Sequence, residues 1–196
     1  MTLCWATTLS AQTTAEEWLQ HLETSLGERY AYTLSVDVGM GDDRATLAGR
    51  VMVEGDSYYM SLEAMEVYSD GRLRYEINNE RKEVTEDRVD LTSHDLLTNP
   101  TRAFLFAPEE FAMALHFSHN DEIARIVLTP RDEDFGITAI TLALVRDGDR
   151  VYPAQIAYDY DGDSVVISLR EYGDKAWMLP VWNEDSYKAY DIVSFL

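Results

Sequence analysis

The chain has 196 residues and a mass of 22.4 kDa, is 46% hydrophobic, and carries a formal net charge of −20 from 36 acidic and 16 basic side chains. That length and apolar content exclude a disordered chain, and the charge excludes nucleic acid as a partner, because phosphates would be repelled. The single cysteine, Cys4, excludes an internal disulfide or thiolate metal cluster, and no apolar run approaches the roughly 18 residues of a membrane-spanning helix.

Residues 1–11 are small, apolar and uncharged, and they end in Leu-Ser-Ala before Gln12. They read as the remnant of a secretory signal, although the basic n-region is missing; an ordinary frayed terminus is the alternative. A single domain is then expected over residues 12–196. Thr13 or Thr14 can cap a helix whose first turn holds Glu16 and Glu17, and Trp18, Leu19, Leu22 and Leu26 form its apolar stripe before Gly27 ends it.

From Tyr30 the apolar period changes to two, which predicts strands. Tyr30, Tyr32, Leu34, Val36 and Val38 share one face, and Ala45, Leu47, Gly49, Val51 and Val53 share a face of the next strand. Gly55-Asp56 turns the chain into residues 57–62, and residues 64–69 lead to the Asp70-Gly71 turn. Beyond it Leu73, Tyr75 and Ile77 alternate with Arg72, Arg74 and Glu76, a half-buried hairpin strand that returns after Asn78-Asn79 toward Val84. Short turns between close strands predict an antiparallel meander.

The pattern breaks after residue 90. Thr92 or Ser93 can cap a short helical turn stopped by Asn99-Pro100, and Pro108-Glu109-Glu110 is a good first turn for a helix carrying Phe111, Met113, Leu115 and Phe117. A helical insertion between two halves of the sheet is expected there. Strands resume over residues 123–129, 137–145, 151–160 and 164–170, with turns at Asp147-Gly148 and Asp161-Gly162, and a last strand is expected over 187–196. The fold class is mainly β with α (α+β), with about ten to eleven strands.

No catalytic constellation emerges. His116-x-x-His119 with Asp121 and Glu122 lacks the spacing that puts two histidines on one helix face, and reads as loop histidines rather than a metal site. Asp159-Tyr-Asp-Gly-Asp163 departs from a calcium loop, with its glycine too early and Arg170 where a bidentate glutamate belongs. In Ser93-His94-Asp95 adjacent side chains point apart, unlike a triad. The expectation is a protein that is not an enzyme and needs no cofactor.

Several stretches together resemble one family: Leu47-Ala-Gly-Arg-Val-Met-Val53, Gly55-Asp-Ser-Tyr-Tyr59, Val67-Tyr-Ser-Asp-Gly71 with Tyr75, Asn99-Pro100 with Phe104, Ile126-Val-Leu-Thr-Pro130, Tyr152-Pro153 and Asp191-Ile192. In order and spacing they are similar to the periplasmic outer-membrane lipoprotein carriers, the LolA-like family, in a form nearest the carriers of Bacteroides-like bacteria. The resemblance implies an incomplete antiparallel β-barrel closed by an N-terminal helix and a central helical lid. It implies a monomeric periplasmic carrier that takes lipoprotein acyl chains from an inner-membrane lipoprotein-releasing ABC transporter complex and delivers them to an outer-membrane acceptor. The acyl contacts it implies are Trp18 and Leu22 from the first helix, Leu96, Phe104, Phe106, Phe111 and Leu115 from the insertion, and Met60, Met65 and Val67 from the sheet. A relative that binds another apolar ligand or senses envelope lipids, and a non-catalytic interaction domain, are the alternatives. One departure stands out. Proteobacterial carriers place a basic residue and Pro after the second strand to bond the lid, whereas Val53 is followed here by Glu54-Gly55-Asp56. That latch is not carried over.

Overall fold

A capping box starts the one α-helix among the described residues, α1 (Ala15–Leu26): Glu17 N–H donates to Thr14 Oγ1 (3.2 Å) and Thr14 N–H donates back to Glu17 Oε2 (2.9 Å). The computed structural model describes residues 14–40, 43–117, 123–132, 135–161, 163–173 and 177–196; the suspected signal remnant, residues 1–11, lies outside them. Trp18, Leu19, Leu22 and Leu26 form the buried stripe, as their spacing predicts, and Gly27 closes the helix at φ 64°.

Twelve strands follow: β1 (Arg29–Met40), β2 (Asp43–Glu54), β3 (Ser57–Leu62), β4 (Met65–Ser69), β5 (Leu73–Asn78), β6 (Glu83–Arg88), β7 (Phe111–Phe117), β8 (Ile123–Pro130), β9 (Ala139–Asp147), β10 (Arg150–Asp159), β11 (Ser164–Arg170) and β12 (Asp191–Ser194). They form one sheet in the order β12-β6-β5-β4-β3-β2-β1-β11-β10-β9-β8-β7. Neighbours are antiparallel except β12, which lies parallel to β6. The end strands β12 and β7 do not pair, so the barrel is incomplete.

Two expectations change. The central insertion holds no helix: residues 89–110 are turns and irregular chain, and the expected helix over Phe111 to Phe117 is β7, paired with β8 from Phe111↔Pro130 to Phe117↔Ala124. Alanine, methionine and leucine favour helix locally, but Phe111, Met113, Leu115 and Phe117 also alternate, and pairing with β8 overrides propensity. A helical lid is thereby replaced by a coiled plug. The C-terminal strand is also shorter than expected, because a 3₁₀ turn (Glu184–Tyr187) precedes β12.

Side-chain alternation divides the sheet into two faces. The inner face carries Tyr32, Leu34 and Val36 of β1, Val51 and Val53 of β2, Ile140, Leu142 and Leu144 of β9, and Ile156 and Tyr158 of β10, all in one core cluster with α1. The Ser25 hydroxyl accepts from Val151 N–H (2.8 Å) and ties α1 to β10. On the outer face Tyr59, Tyr68 and Tyr75 sit in register on adjacent strands. The C-terminal segment covers them: Trp182 stacks between Tyr75 (4.5 Å) and Tyr187 (5.0 Å), and the Tyr68 and Tyr187 hydroxyls both donate to Glu66 Oε2 (2.8 and 3.1 Å). Ile77 and Val84 are fully buried on that side. The apolar face of β5 therefore points away from the interior, and Arg74 and Glu76 point into it.

A close backbone approach at Gly49 fixes the β2–β3 pairing. A Cβ there would run into the Ser61 carbonyl oxygen and the Leu34 and Leu62 side chains. Gly49→Ala is expected to cost about 1–3 kcal/mol through this overpacking, read as a lower urea midpoint; an unchanged midpoint would mean that the strands can separate freely.

Candidate functional site

The inner face is closed by α1 and by the plug, residues 89–110, and tyrosines reaching up from the sheet hold the plug in place. Tyr158 Oη accepts from Leu96 N–H (2.8 Å) and donates to the His94 carbonyl (3.0 Å). Tyr58 Oη donates to the Thr98 carbonyl (3.1 Å) and Tyr30 Oη to that of Pro100 (3.3 Å). Burial raises the Tyr158 and Tyr58 phenols above their ordinary 10.0, so these hydroxyls stay protonated and able to donate. Tyrosine suits this task because its ring belongs to the core and its tip remains polar.

The plug also satisfies itself. Asn99, fully buried, donates from Nδ2 to the Asp90 carbonyl (2.9 Å) and accepts at Oδ1 from Thr101 Oγ1 (2.7 Å). Asp95 accepts from Leu97 N–H (2.8 Å), and its carbonyl accepts from Thr98 and Asn99 N–H. This answers the missing basic latch: three phenols and an asparagine knot bond the plug's backbone instead.

Nine of the ten acyl-contact candidates meet in this core. Trp18, Leu22, Met60, Val67, Leu96, Phe104 and Phe111 are buried in one cluster, and Phe106 and Leu115 pack against it half-buried. Met65 stands apart, lining a small cavity of about 200 Å³ with Met60, Leu62, Val67, Leu97 and the Arg74–Glu76 pair (2.5 Å). That volume is below the about 300–1,000 Å³ of ordinary ligand pockets. A second cavity of about 480 Å³ opens at the mouth, where the C-terminus of α1, the β2–β3 and β4–β5 turns and the plug meet. Leu26, Val53, Val89, Leu91, Phe104 and Leu105 supply its apolar wall. Only Phe104 among the ten lines it.

His94 is the unexpected member. It is 2% exposed, stacked on Phe106 (5.2 Å, 19°) and edge-on to Phe111 (5.1 Å), with Nε2 3.5 Å from Glu110 Oε2. The neighbouring Ser93 and Asp95 do not join it: Ser93 Oγ accepts from Asp95 N–H, and the Asp95 carboxylate is held by Leu97. Among the described residues no group of histidine, cysteine and carboxylate side chains could hold a metal, and His119, Asp121 and Glu122 lie outside them. That Tyr30, Tyr58, Tyr158 and Asn99 bond the plug is not marked in the sequence; a tyrosine at an inward strand position is the one available signal.

Burial pushes the His94 imidazole below its ordinary 6.5; Glu110 pulls it up and Arg102 pushes it further down. The unfolded chain then binds more protons than the folded one just below pH 6.5, so stability is full above that value and falls as pH drops toward the folded-state pKa. Asp95, raised above 3.8 by burial, acts with the opposite sign toward more acid pH. His94→Gln is expected to flatten the loss of stability between pH 7 and pH 5, measured by thermal melts across that range; an unchanged slope would place the responsible group elsewhere.

No protein-family model and no curated protein sequence matches the chain. Solved structures do. An uncharacterized conserved protein from Thermus thermophilus matches at a TM-score of 0.54 and 12% identity, over 92% of this chain and 98% of that one, which shows a shared fold. A LolA superfamily protein from Nitrosomonas europaea (TM-score 0.44, 11% identity, 90% and 98% covered) and LprF from Mycobacterium bovis (0.45, 12%, 86% and 98%) are also among the matches, at scores that carry no argument on their own.

Proposed function

We propose that the protein is a carrier for the acyl chains of lipids or lipoproteins, which it holds between the inner face of the sheet and the plug. The observation that supports this most is the construction of the cover: an apolar inner face is closed by a segment without regular secondary structure, whose backbone is tied to the sheet by a few tyrosine hydrogen bonds and whose Leu96, Ala103 and Phe104 side chains fill the space an acyl chain would take. Such a cover can leave without dismantling the sheet. Acyl methylenes taking its place would each gain about 0.8 kcal/mol on leaving water. The small cavity of about 200 Å³ beside Met60 and Met65 is then the narrow form of a site that a ligand enlarges.

In the finer form of this reading, a periplasmic protein takes lipoproteins from an inner-membrane ATP-driven releasing complex and hands them to an outer-membrane acceptor. What supports that form is the sequence resemblance, from the second strand to the closing Asp191-Ile192. A non-catalytic interaction domain is the second reading, and the filled core favours it.

Mass spectrometry of material that co-purifies with the protein separates the two. Acylated ligand is expected with the wild type and is expected to be lost in Phe104→Glu, with folding checked by circular dichroism. Leu105→Glu, at a 40% exposed position on the wall of the mouth, provides a charge there without a buried cost. An empty wild type that also fails to take up a lauroyl probe would leave the interaction domain.

A further inference from the structure

The cavity at the mouth combines apolar walls with an excess of negative charge. Leu91 and Leu105, 62% and 40% exposed, face the cavity with Phe104 below them. Around them stand the exposed carboxylates of Glu23 and Glu28, at the end of α1 and just after it, and of Asp56 in the β2–β3 turn. Asp56 is held there by turn packing: a Cβ on Gly71, which has φ +86°, would come within 2.7 Å of the Asp56 Cβ. The one cation among the described residues of the lining, Arg102, offsets only part of this charge, so three carboxylates against one guanidinium leave the cavity negative.

Large apolar side chains beside a solvent-filled cavity are left uncovered when the protein stands alone, and a cleft bordered by carboxylates focuses a negative potential into the space above them. The net charge of −20 adds to it. A chain entering here must be apolar, and whatever follows it must pass three carboxylates.

We infer that the mouth of the sheet is a selectivity site for an acylated peptide bearing basic residues next to its acyl chain, read by Glu23, Glu28 and Asp56. This rests on the carrier reading and adds the chemistry of the cargo beside the lipid. Exposed charges act weakly one by one, so selectivity comes from the three together and is sensitive to salt.

The test is binding of N-lauroyl pentapeptides carrying two lysines, two serines or two glutamates beside the acyl group. At low salt the lysine peptide is expected to bind about tenfold more tightly than the glutamate peptide, with the serine peptide between. The difference should collapse at high salt and in the Glu23→Gln, Glu28→Gln, Asp56→Asn variant, with folding checked by circular dichroism. Equal affinity for all three peptides in the wild type would overturn the selectivity and leave the carrier reading intact. Binding of none would overturn both.

Discussion

Phe111→Ala is expected to lower the stability by about 3–5 kcal/mol, the largest effect of any single core truncation here. Phe111 is fully buried at the first residue of β7, and its ring meets three others edge-on: His94 at 5.1 Å, Phe106 at 5.3 Å and Phe135 at 5.4 Å. His94 and Phe106 belong to the plug, and Phe135 lies in the β8–β9 connection, so one side chain joins β7 to the segment before it and to the connection after β8. Alanine removes the ring contacts and leaves a cavity that the strand cannot close, because its backbone is fixed by pairing with β8. Against a typical stability of about 5–15 kcal/mol this loss leaves a large unfolded fraction. Urea denaturation reads it as a lower midpoint at constant slope. Leu115→Ala, half-buried on the same strand, should cost clearly less; equal losses would mean that the aromatic cluster contributes nothing beyond ordinary burial.

The second large effect lies at Tyr158. Replacing it with phenylalanine keeps the ring and removes the hydroxyl, so the Leu96 N–H and the His94 carbonyl both lose their partner in a dry interior. The expected cost is about 2–3 kcal/mol, since an unsatisfied buried group costs more than an average hydrogen bond contributes. Tyr58→Phe and Tyr30→Phe, each breaking one donor bond, should cost about 1 kcal/mol each. The four bonds of these three phenols act on the same plug, so the losses should not add. In the carrier reading these variants also take up a lauroyl probe faster than the wild type, because the cover leaves more readily. Stopped-flow fluorescence tests this, and slower uptake in Tyr158→Phe would show that the phenols do not restrain the plug.

Most of the sheet was legible in the sequence because it rests on local signals. Period-two runs and Asp-Gly or Gly-Asp turns located β1 to β5 and β8 to β11 to within a few residues, and a threonine cap with an acidic first turn and an apolar stripe located α1. What failed was the segment where local and long-range preferences conflict. The Pro108-Glu-Glu start and the alanines of residues 111–117 argued for helix, and only pairing with β8 makes a strand of them. Likewise the alternation in β5 marks an apolar face without saying which way it looks, and the C-terminal segment covers it from outside through Trp182 and Tyr187, more than a hundred residues away. Nine of the ten candidate contacts lie in or against one core because large apolar residues converge there, which is a statement about packing. The hydrogen-bonded plug was not legible, since nothing local marks a tyrosine as the partner of a remote carbonyl.

The pairing of β1 with β11 has a consequence for how the chain is made. These strands join Thr33 to Arg170 across 137 residues, and β1 also pairs with β2 from the other side. While synthesis proceeds from the N-terminus, one edge of β1 has no partner until β11 emerges, and only α1 and the plug are there to cover the inner face of β1 to β6. A topology of such high contact order folds slowly, and its waiting half is a twisted apolar ribbon with an open edge. Holding that half-sheet apart from its copies is a task for a chaperone, and its success, more than the stability of the finished fold, would set the yield of the protein.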